Sequence, residues 1–356
     1  MKVGTVYLVG AGPGDPGLLT LRAAELLEAA EVVAHDALIP QPILRLVPEA
    51  AVRVAVGRRC GAGQTGYRLH PEILRHALAG RDVVRLKAGD PLIFGRGGEE
   101  AEELRRANVP LQIVPGISAA SGAAAYAGIP LTHRDHASHV VFGTGHDVEV
   151  ASENKNSWPA LVADGGVADG GTLVLFMAAQ KVRANVQRLL AAGRDARTPA
   201  ACIACATWPQ QQVVVATLAD LAERMAAAAI RVPALIIVGE VVTVRERITW
   251  LSRCPLLGRC ILLGLAHGRA AVAAQLRRAG ARVVEAPPHL AIALASGPQA
   301  QRFDLAVLPR AFVGAIPEGS RDMALPIIVV DTDEPGAGEG VAAAVVASVA
   351  QRGGMR

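Results

Sequence analysis

Val3-Gly-Thr-Val-Tyr-Leu-Val9 leads into Gly10-Ala-Gly-Pro-Gly-Asp-Pro16. From Leu18 to Ala30 apolar residues then recur at helical spacing, and Val32 to Ala34 returns to strand character. A short apolar strand, a glycine-rich turn, a helix and a second strand open an α/β sheet. The alternation continues outward, with strands expected at 52–56, 82–87, 111–114 and 139–144 and helices near 70–79, 97–107 and 117–126. Turn clusters follow the strands, where open α/β sheets bind their ligands.

Further along, residues 147–171 break the rhythm with Asp, Glu, Asn, Ser and Gly around Trp158, and read as a linker or lid. A second α/β unit follows, with strands near 172–177, 200–205, 211–216 and 233–238 and helices at 179–192 and 218–229. Ser252 to Pro255 marks another boundary, before a strand-helix-strand start (helix at 269–279) and apolar strands near 304–308 and 326–331. The organisation expected is a lobe over 1–146, the linker 147–171, a lobe over 172–251, and a small C-terminal α/β segment over 256–350 with a frayed tail from Gln351.

Composition narrows the function. The chain has 356 residues, 51% hydrophobic but only 3% aromatic, so its core is aliphatic and it is not a disordered chain. No apolar run reaches the length of about 18 residues that a spanning helix needs, and the start carries no cleavable signal pattern, so a cytoplasmic enzyme without a membrane span is expected. The net charge of +4 is mild, and no basic run interleaves with aromatics, which argues against nucleic acid. There are only four lysines (2, 87, 155 and 181) against 32 arginines, whose fixed forks suit carboxylates and phosphates. The five cysteines form no disulfide or metal framework by spacing, and Cys202 and Cys205 read as structural residues of a buried strand.

Four loops carry the candidate chemistry. The first has Asp15 where the dinucleotide fingerprint needs its third glycine, which disfavours a pyrophosphate and suits a sulfonium or amino group; a plain turn is the alternative. The second is Arg85-Leu-Lys-Ala-Gly-Asp-Pro-Leu-Ile-Phe-Gly-Arg-Gly-Gly-Glu-Glu100, in which glycines crowd Arg96 as if a ligand approached the backbone. Glu99 and Glu100 fall in a first helical turn, where acidic residues favour the dipole. The third is Pro115-Gly-Ile-Ser-Ala-Ala120, and the fourth is Gly128-Ile-Pro-Leu-Thr-His-Arg-Asp135.

Taken in order, Val6 to Pro16, Arg85 to Glu100, Val114 to Ser118 and Ala125 to Asp135 closely resemble the uroporphyrinogen-III C-methyltransferases of the tetrapyrrole methylase family. The resemblance extends over about residues 3–251, through Thr144-Gly-His146, Leu175-Phe-Met177 and Ala234 to Val242. It implies a two-lobed α/β methylase, a homodimer, that binds S-adenosylmethionine and methylates two ring carbons of uroporphyrinogen III, giving precorrin-2 and S-adenosylhomocysteine. By matching motifs it implies Pro13, Ala88, Gly89, Asp90, Ile93, Ser118, Ala119, Met177 and Ala206 at the cofactor, and Arg96, Glu99 and Arg134 as residues that hold or deprotonate the macrocycle, Arg96 and Glu99 with a catalytic part. Asp36 matches the family's proton acceptor and Arg58 its proton donor, although spacing alone does not tell a base from a helix-cap carboxylate at 36.

Three positions depart from the family pattern. Arg58 stands for a lysine, which favours substrate anchoring over acid catalysis there; Ala88 stands for a glycine and needs a negative φ; Cys205-Ala-Thr207 stands for Asn-Gly-Thr. The residues after 256 resemble, more loosely, one half of uroporphyrinogen-III synthase, as a partial or degenerate copy. The competing readings are a methylase of a later corrin precursor, a nicotinamide oxidoreductase using the first loop, and a non-catalytic family member.

Overall fold

The short apolar runs become strands whose ends deliver the motif loops to one edge. In the computed structural model, which describes residues 2–56, 69–145, 170–208, 210–251, 254–256, 259–265, 269–296, 303–311, 325–330 and 338–353, the first sheet holds β1 (Val6–Gly10), β2 (Val32–Asp36), β3 (Val52–Val56), β4 (Val83–Lys87) and β5 (Leu111–Val114). All pairings are parallel, in the order β3-β2-β4-β1-β5. Their carboxyl ends therefore share an edge, and the loops after β1, β2, β4 and β5 meet there.

Strand alternation divides the apolar side chains between two faces. Val9, Val33, Val84 and Leu86 pack with α1 (Leu21–Glu28) and α2 (Gln41–Leu44). Val6, Leu8, Val32, Ala34 and Val83 pack with α3 (Pro71–Leu78) and α4 (Gly97–Arg106). The single helix expected over 18–30 is split. Asp15 accepts from Gly17 N and caps a 3-10 turn at Pro16–Leu18, and Thr20 Oγ1 then accepts from Ala23 N to start α1.

After β5, α5 (Ala119–Ala127) carries the small residues that let it lie on the second sheet. That sheet contains β6 (Val140–Thr144), β7 (Thr172–Phe176), β8 (Pro199–Ala204), β9 (Gln212–Thr217) and β10 (Ala234–Val238), in the order β6-β7-β10-β8-β9. Only β6 and β7 run parallel; β7–β10, β10–β8 and β8–β9 are antiparallel. The sequence reading left the strand directions of this lobe unstated, because apolar periodicity locates strands without fixing their direction. Helices α6 (Val182–Ala191) and α7 (Leu221–Ala227) cover the face away from α5. Cys202 and Cys205 are buried free thiols, and burial pushes the Cys202 thiol up to about 12.

Residues Met1–Thr249 form one compact unit and Trp250–Arg356 another, so the break falls slightly before the expected Ser252. The second unit is a parallel sheet of β11 (Cys260–Leu263), β12 (Arg282–Glu285), β13 (Leu305–Pro309) and β14 (Ile327–Val330), ordered β12-β11-β13-β14. Besides the expected helix, here α8 (Arg269–Arg278), it has two that the sequence reading did not locate, α9 (Pro288–Ser296) and α10 (Gly338–Gly353). The last of these runs through the stretch expected to fray from Gln351. Arg58, His146 and the expected linker up to residue 169 lie outside the described residues.

Candidate functional site

Backbone contacts decide where the glycines stand. Gly12 and Gly89, both at positive φ, exchange hydrogen bonds: Gly89 N donates to Gly12 O at 2.9 Å and Gly12 N to Gly89 O at 3.2 Å. A Cβ on Gly10 would lie 2.6 Å from Gly116 Cα and 2.7 Å from Gly89 O, so the first three loops cross where side chains cannot fit. Asp90 ties two of them. Its Oδ1 accepts from Leu92 N at 2.9 Å and its Oδ2 from Gly116 N at 3.0 Å.

The first loop is also held from the second lobe. Trp208 Nε1 donates to Pro13 O at 3.1 Å, Asp15 N donates to Thr207 Oγ1 at 3.0 Å, and Tyr126 Oη donates to Asp15 Oδ2 at 2.8 Å. Gln211 closes the chain, donating through Nε2 to Tyr126 O at 3.1 Å while its Oε1 accepts from Thr207 N at 2.7 Å. Pro13 rests on Gly122 of α5. Asp15, where the dinucleotide fingerprint would have glycine, is thus both a turn cap and a tie between lobes.

The glycines around Arg96 need a different account from the ligand approach expected of them. Cβ atoms on Gly95 and Gly97 would meet Pro91 O at 2.6 and 2.5 Å, so these two glycines serve the chain's own turn. Only Gly98 faces open space. Arg96 itself caps α4 at φ 58°, exposed, with Glu99 exposed in the next turn.

Glu100 is not a solvated dipole partner but fully buried, and this is the largest feature that the sequence reading missed. Arg85 Nη2 lies 2.9 Å from Glu100 Oε1 and 2.6 Å from Asp36 Oδ1, and Lys87 Nζ lies 3.0 Å from Glu100 Oε2. Burial pulls the Lys87 ammonium below its ordinary value, with the Arg85 charge acting the same way. Burial opposes the charge on Arg85 too, but Asp36 and Glu100 outweigh it and hold that guanidinium above its usual range. The available signal was two cations at i and i+2 inside the apolar strand Val83-Val-Arg-Leu-Lys87, which places both on the covered face. Asp36 ends β2 as a partly exposed carboxylate; its Oδ2 accepts from Ala88 N at 3.4 Å. It caps no helix.

The remaining positions lie in the second loop, at the start of α5 and after strands of the second sheet, with Arg134 apart from them. Ile93, Ala119 and Ala206 pack against one core that includes Phe176, the residue before Met177. Phe176 in turn meets Phe94 with ring centroids 4.8 Å apart. Ser118 caps α5 through its hydroxyl, which accepts from Ala120 N at 3.3 Å. Ala88 and Ala206 keep negative φ, so neither position demands the family's glycine. Seven non-glycine residues among those described have positive φ, and five of them (Phe94, Arg96, Met177, Cys205 and Thr207) lie in the loops that carry or adjoin the candidate positions. Met177 is exposed. Arg134 is exposed in a separate turn, closed by the bridge from His133 to Ala137. The loops thus combine bare peptide edges, small apolar side chains, one carboxylate backed by a guanidinium, and the exposed Arg96.

Comparison with known proteins shows the family. The family model described as Tetrapyrrole (Corrin/Porphyrin) Methylases matches residues 5–222. The siroheme synthase of Azotobacter vinelandii is 49% identical over 240 residues, 67% of this chain and 50% of that protein, so the chain spans about half the length of such relatives. A solved uroporphyrin-III C-methyl transferase from Thermus thermophilus, complexed with S-adenyl homocysteine, is 41% identical with a TM-score of 0.56, over 68% of this chain and 94% of that one. A solved cobalt precorrin-4 methyltransferase is 29% identical with a TM-score of 0.57, over 67% of this chain and 95% of that one.

Proposed function

The chain belongs to the tetrapyrrole methylase family, and on that premise we propose that it is a uroporphyrinogen-III C-methyltransferase, which methylates two ring carbons of uroporphyrinogen III to give precorrin-2. The observation that carries the substrate is the 41% identity across 94% of a uroporphyrin-III enzyme, against 29% for the precorrin-4 enzyme. The TM-scores of the two, 0.56 and 0.57, do not separate them.

The residues present fit the methyl donor. A Cβ on Gly89 would stand 3.4 Å from Ala119 N, so glycine there leaves those peptide groups uncovered, and Met177, after β7, is exposed. S-adenosylmethionine supplies a strongly electrophilic sulfonium methyl when bound. Pro13, Ala88, Gly89, Asp90, Ile93, Ser118, Ala119, Met177 and Ala206 form its cradle in this reading, Asp90 by fixing the loops and the rest by contact. Arg96 and Arg134 take carboxylates of the macrocycle through charge-assisted bonds, and Glu99 orients it. The Asp36 carboxylate receives the proton that leaves the methylated carbon. Arg58, by its chemistry, anchors substrate. We assign the chain to the cytoplasm as a homodimer on the family resemblance, and residues 256–350 to a synthase-like segment without part in methyl transfer.

Purified protein given uroporphyrinogen III and methyl-labelled S-adenosylmethionine tests the assignment. Two labels per macrocycle, with release of S-adenosylhomocysteine, is the expected result. Label incorporated only into a later corrin precursor would transfer the activity to that substrate, and affinity for NAD without affinity for S-adenosylhomocysteine would remove the methylase reading.

A further inference from the structure

Arg85, Lys87 and Glu100 occupy a sheet face otherwise filled by aliphatic side chains, and all three are buried. Hydrophobic residues of similar volume would stabilise that face as well or better, so the cost of desolvating three charges calls for a use. The contacts suggest one. Arg85 donates through Nε at 3.1 Å and Nη2 at 2.9 Å to Glu100 Oε1, and through Nη1 to the carbonyls of Leu86 at 3.2 Å and Ala34 at 3.5 Å. Only one edge of the guanidinium is left for Asp36, which it meets through Nη2 at 2.6 Å. The four side chains carry two positive and two negative charges. Of them only Asp36 reaches solvent, with its side chain 29% exposed against 3% or less for the others. Three buried charges thus stand behind the one carboxylate at the loop edge.

We propose that Glu100 is a positioning residue for Asp36, acting through the Arg85 guanidinium, with Lys87 as the counter-charge that keeps the buried set neutral. The inference rests on Asp36 being the proton acceptor. With Glu100 holding the Nε side of the fork, Asp36 is anchored by one oxygen, and Oδ2 stays by Ala88 N and the loop edge. Without the Glu100 charge, Asp36 becomes the sole anionic partner of Arg85, and the freed fork draws in both of its oxygens.

The test is Glu100→Gln in the full chain, which keeps the shape and removes the charge. Expected is a fall in kcat of about 10- to 100-fold, with KM for uroporphyrinogen III and Kd for S-adenosylhomocysteine within roughly threefold of wild type. In crystals of the variant with S-adenosylhomocysteine, both Asp36 oxygens should face Arg85 and Oδ2 should have left Ala88 N. If the variant does not fold, Arg85→Lys, which keeps the charge and removes the fork that fixes Oδ1, should give the same kinetic split, with Asp36 Oδ1 no longer held in its wild-type position. An unchanged kcat, a loss of cofactor affinity in step with kcat, or an unmoved Asp36 overturns the proposal. A wild-type chain inactive on uroporphyrinogen III counts against the substrate assignment instead, and the crystallographic arm still decides the positioning.

Discussion

Gly122→Ala sets two physical effects against each other, and the structure gives the sign of the result. Gly122 lies inside α5 without a positive φ, so helix propensity alone favours alanine by up to about 1 kcal/mol. A Cβ there would stand 2.5 Å from Pro13 Cγ, 2.8 Å from Pro13 Cβ and 3.3 Å from Thr207 Cγ2. To regain an ordinary carbon–carbon separation of about 3.5 Å, the ring of Pro13 has to retreat by about 1 Å. It has no side-chain rotation with which to do so. Its carbonyl is held by Trp208 Nε1, and the next residues of the loop are tied through Asp15 to Tyr126 and Thr207. Overpacking of a held element costs about 1–3 kcal/mol, which leaves a net loss of about 0–2 kcal/mol where propensity alone forecasts a gain.

The loop moves with Pro13, so the cofactor should register the change more strongly than the fold. We expect Kd for S-adenosylhomocysteine, measured by isothermal titration calorimetry, to rise about tenfold, equivalent to about 1.4 kcal/mol. The stabilisation conferred by saturating ligand should shrink correspondingly in thermal melts. Ser121→Ala, one residue earlier on an exposed face of the same helix, should leave both quantities unchanged. A Gly122→Ala protein that melts higher than wild type and binds S-adenosylhomocysteine equally well would refute the reasoning, because Pro13 would then not be held against α5.

Arg96→Ala and Arg134→Ala should each raise KM for the macrocycle about tenfold, the low end for an exposed charge-assisted contact, with S-adenosylhomocysteine affinity intact; parallel loss of both affinities would argue against their assignment to substrate. His76 is buried, and burial, helped by the charges of Arg75 and Arg81, holds its imidazole below the ordinary value. Its neutral form therefore contributes stability that is complete above the unfolded value of about 6.5 and is lost as pH falls below it. The urea midpoint of wild type should drop more between pH 7 and pH 5.5 than that of His76→Gln, and equal drops would exclude His76 as the source. A chain ending at Thr249, the limit of the first compact unit, should keep methyl transfer within roughly threefold of the full chain; a larger loss would give the C-terminal unit a part in the reaction.

The first sheet was legible because each of its strands is a short apolar run that stops at a turn, as in Val6 to Gly10 and Val83 to Lys87. The second sheet was legible only as strands. Nothing in Pro199 to Ala204 or Gln212 to Thr217 states that the two pair antiparallel, since the direction is set by the tertiary connection. The helices at Pro288–Ser296 and Gly338–Gly353 escaped notice because runs of alanine with leucine and isoleucine, or with valine, carry little periodic contrast. At the site, residue types could be read but their partners could not. Arg85 and Lys87 interrupt an apolar strand visibly, whereas Glu100 looks like any acidic residue in a first helical turn until α4 is laid over β4.

The glycines show why motif spacing outruns its own explanation. Gly14 follows a strand of the first sheet, yet the atoms that forbid it a side chain belong to the indole of Trp208, nearly two hundred residues later. The same indole fixes Pro13 O, and Thr207, strained at φ 68° with a β-branched side chain, receives Asp15 N. The first loop consequently takes its shape only when the β8–β9 connection has folded against it. Binding at that loop therefore stabilises the docking of the two lobes as well as the loop itself. If the first loop holds the cofactor as proposed, substitutions at Thr207 or Trp208 should weaken S-adenosylhomocysteine binding with no need to touch the cofactor, and strain at Thr207 is tolerated because hydrogen bonds from both lobes converge on it.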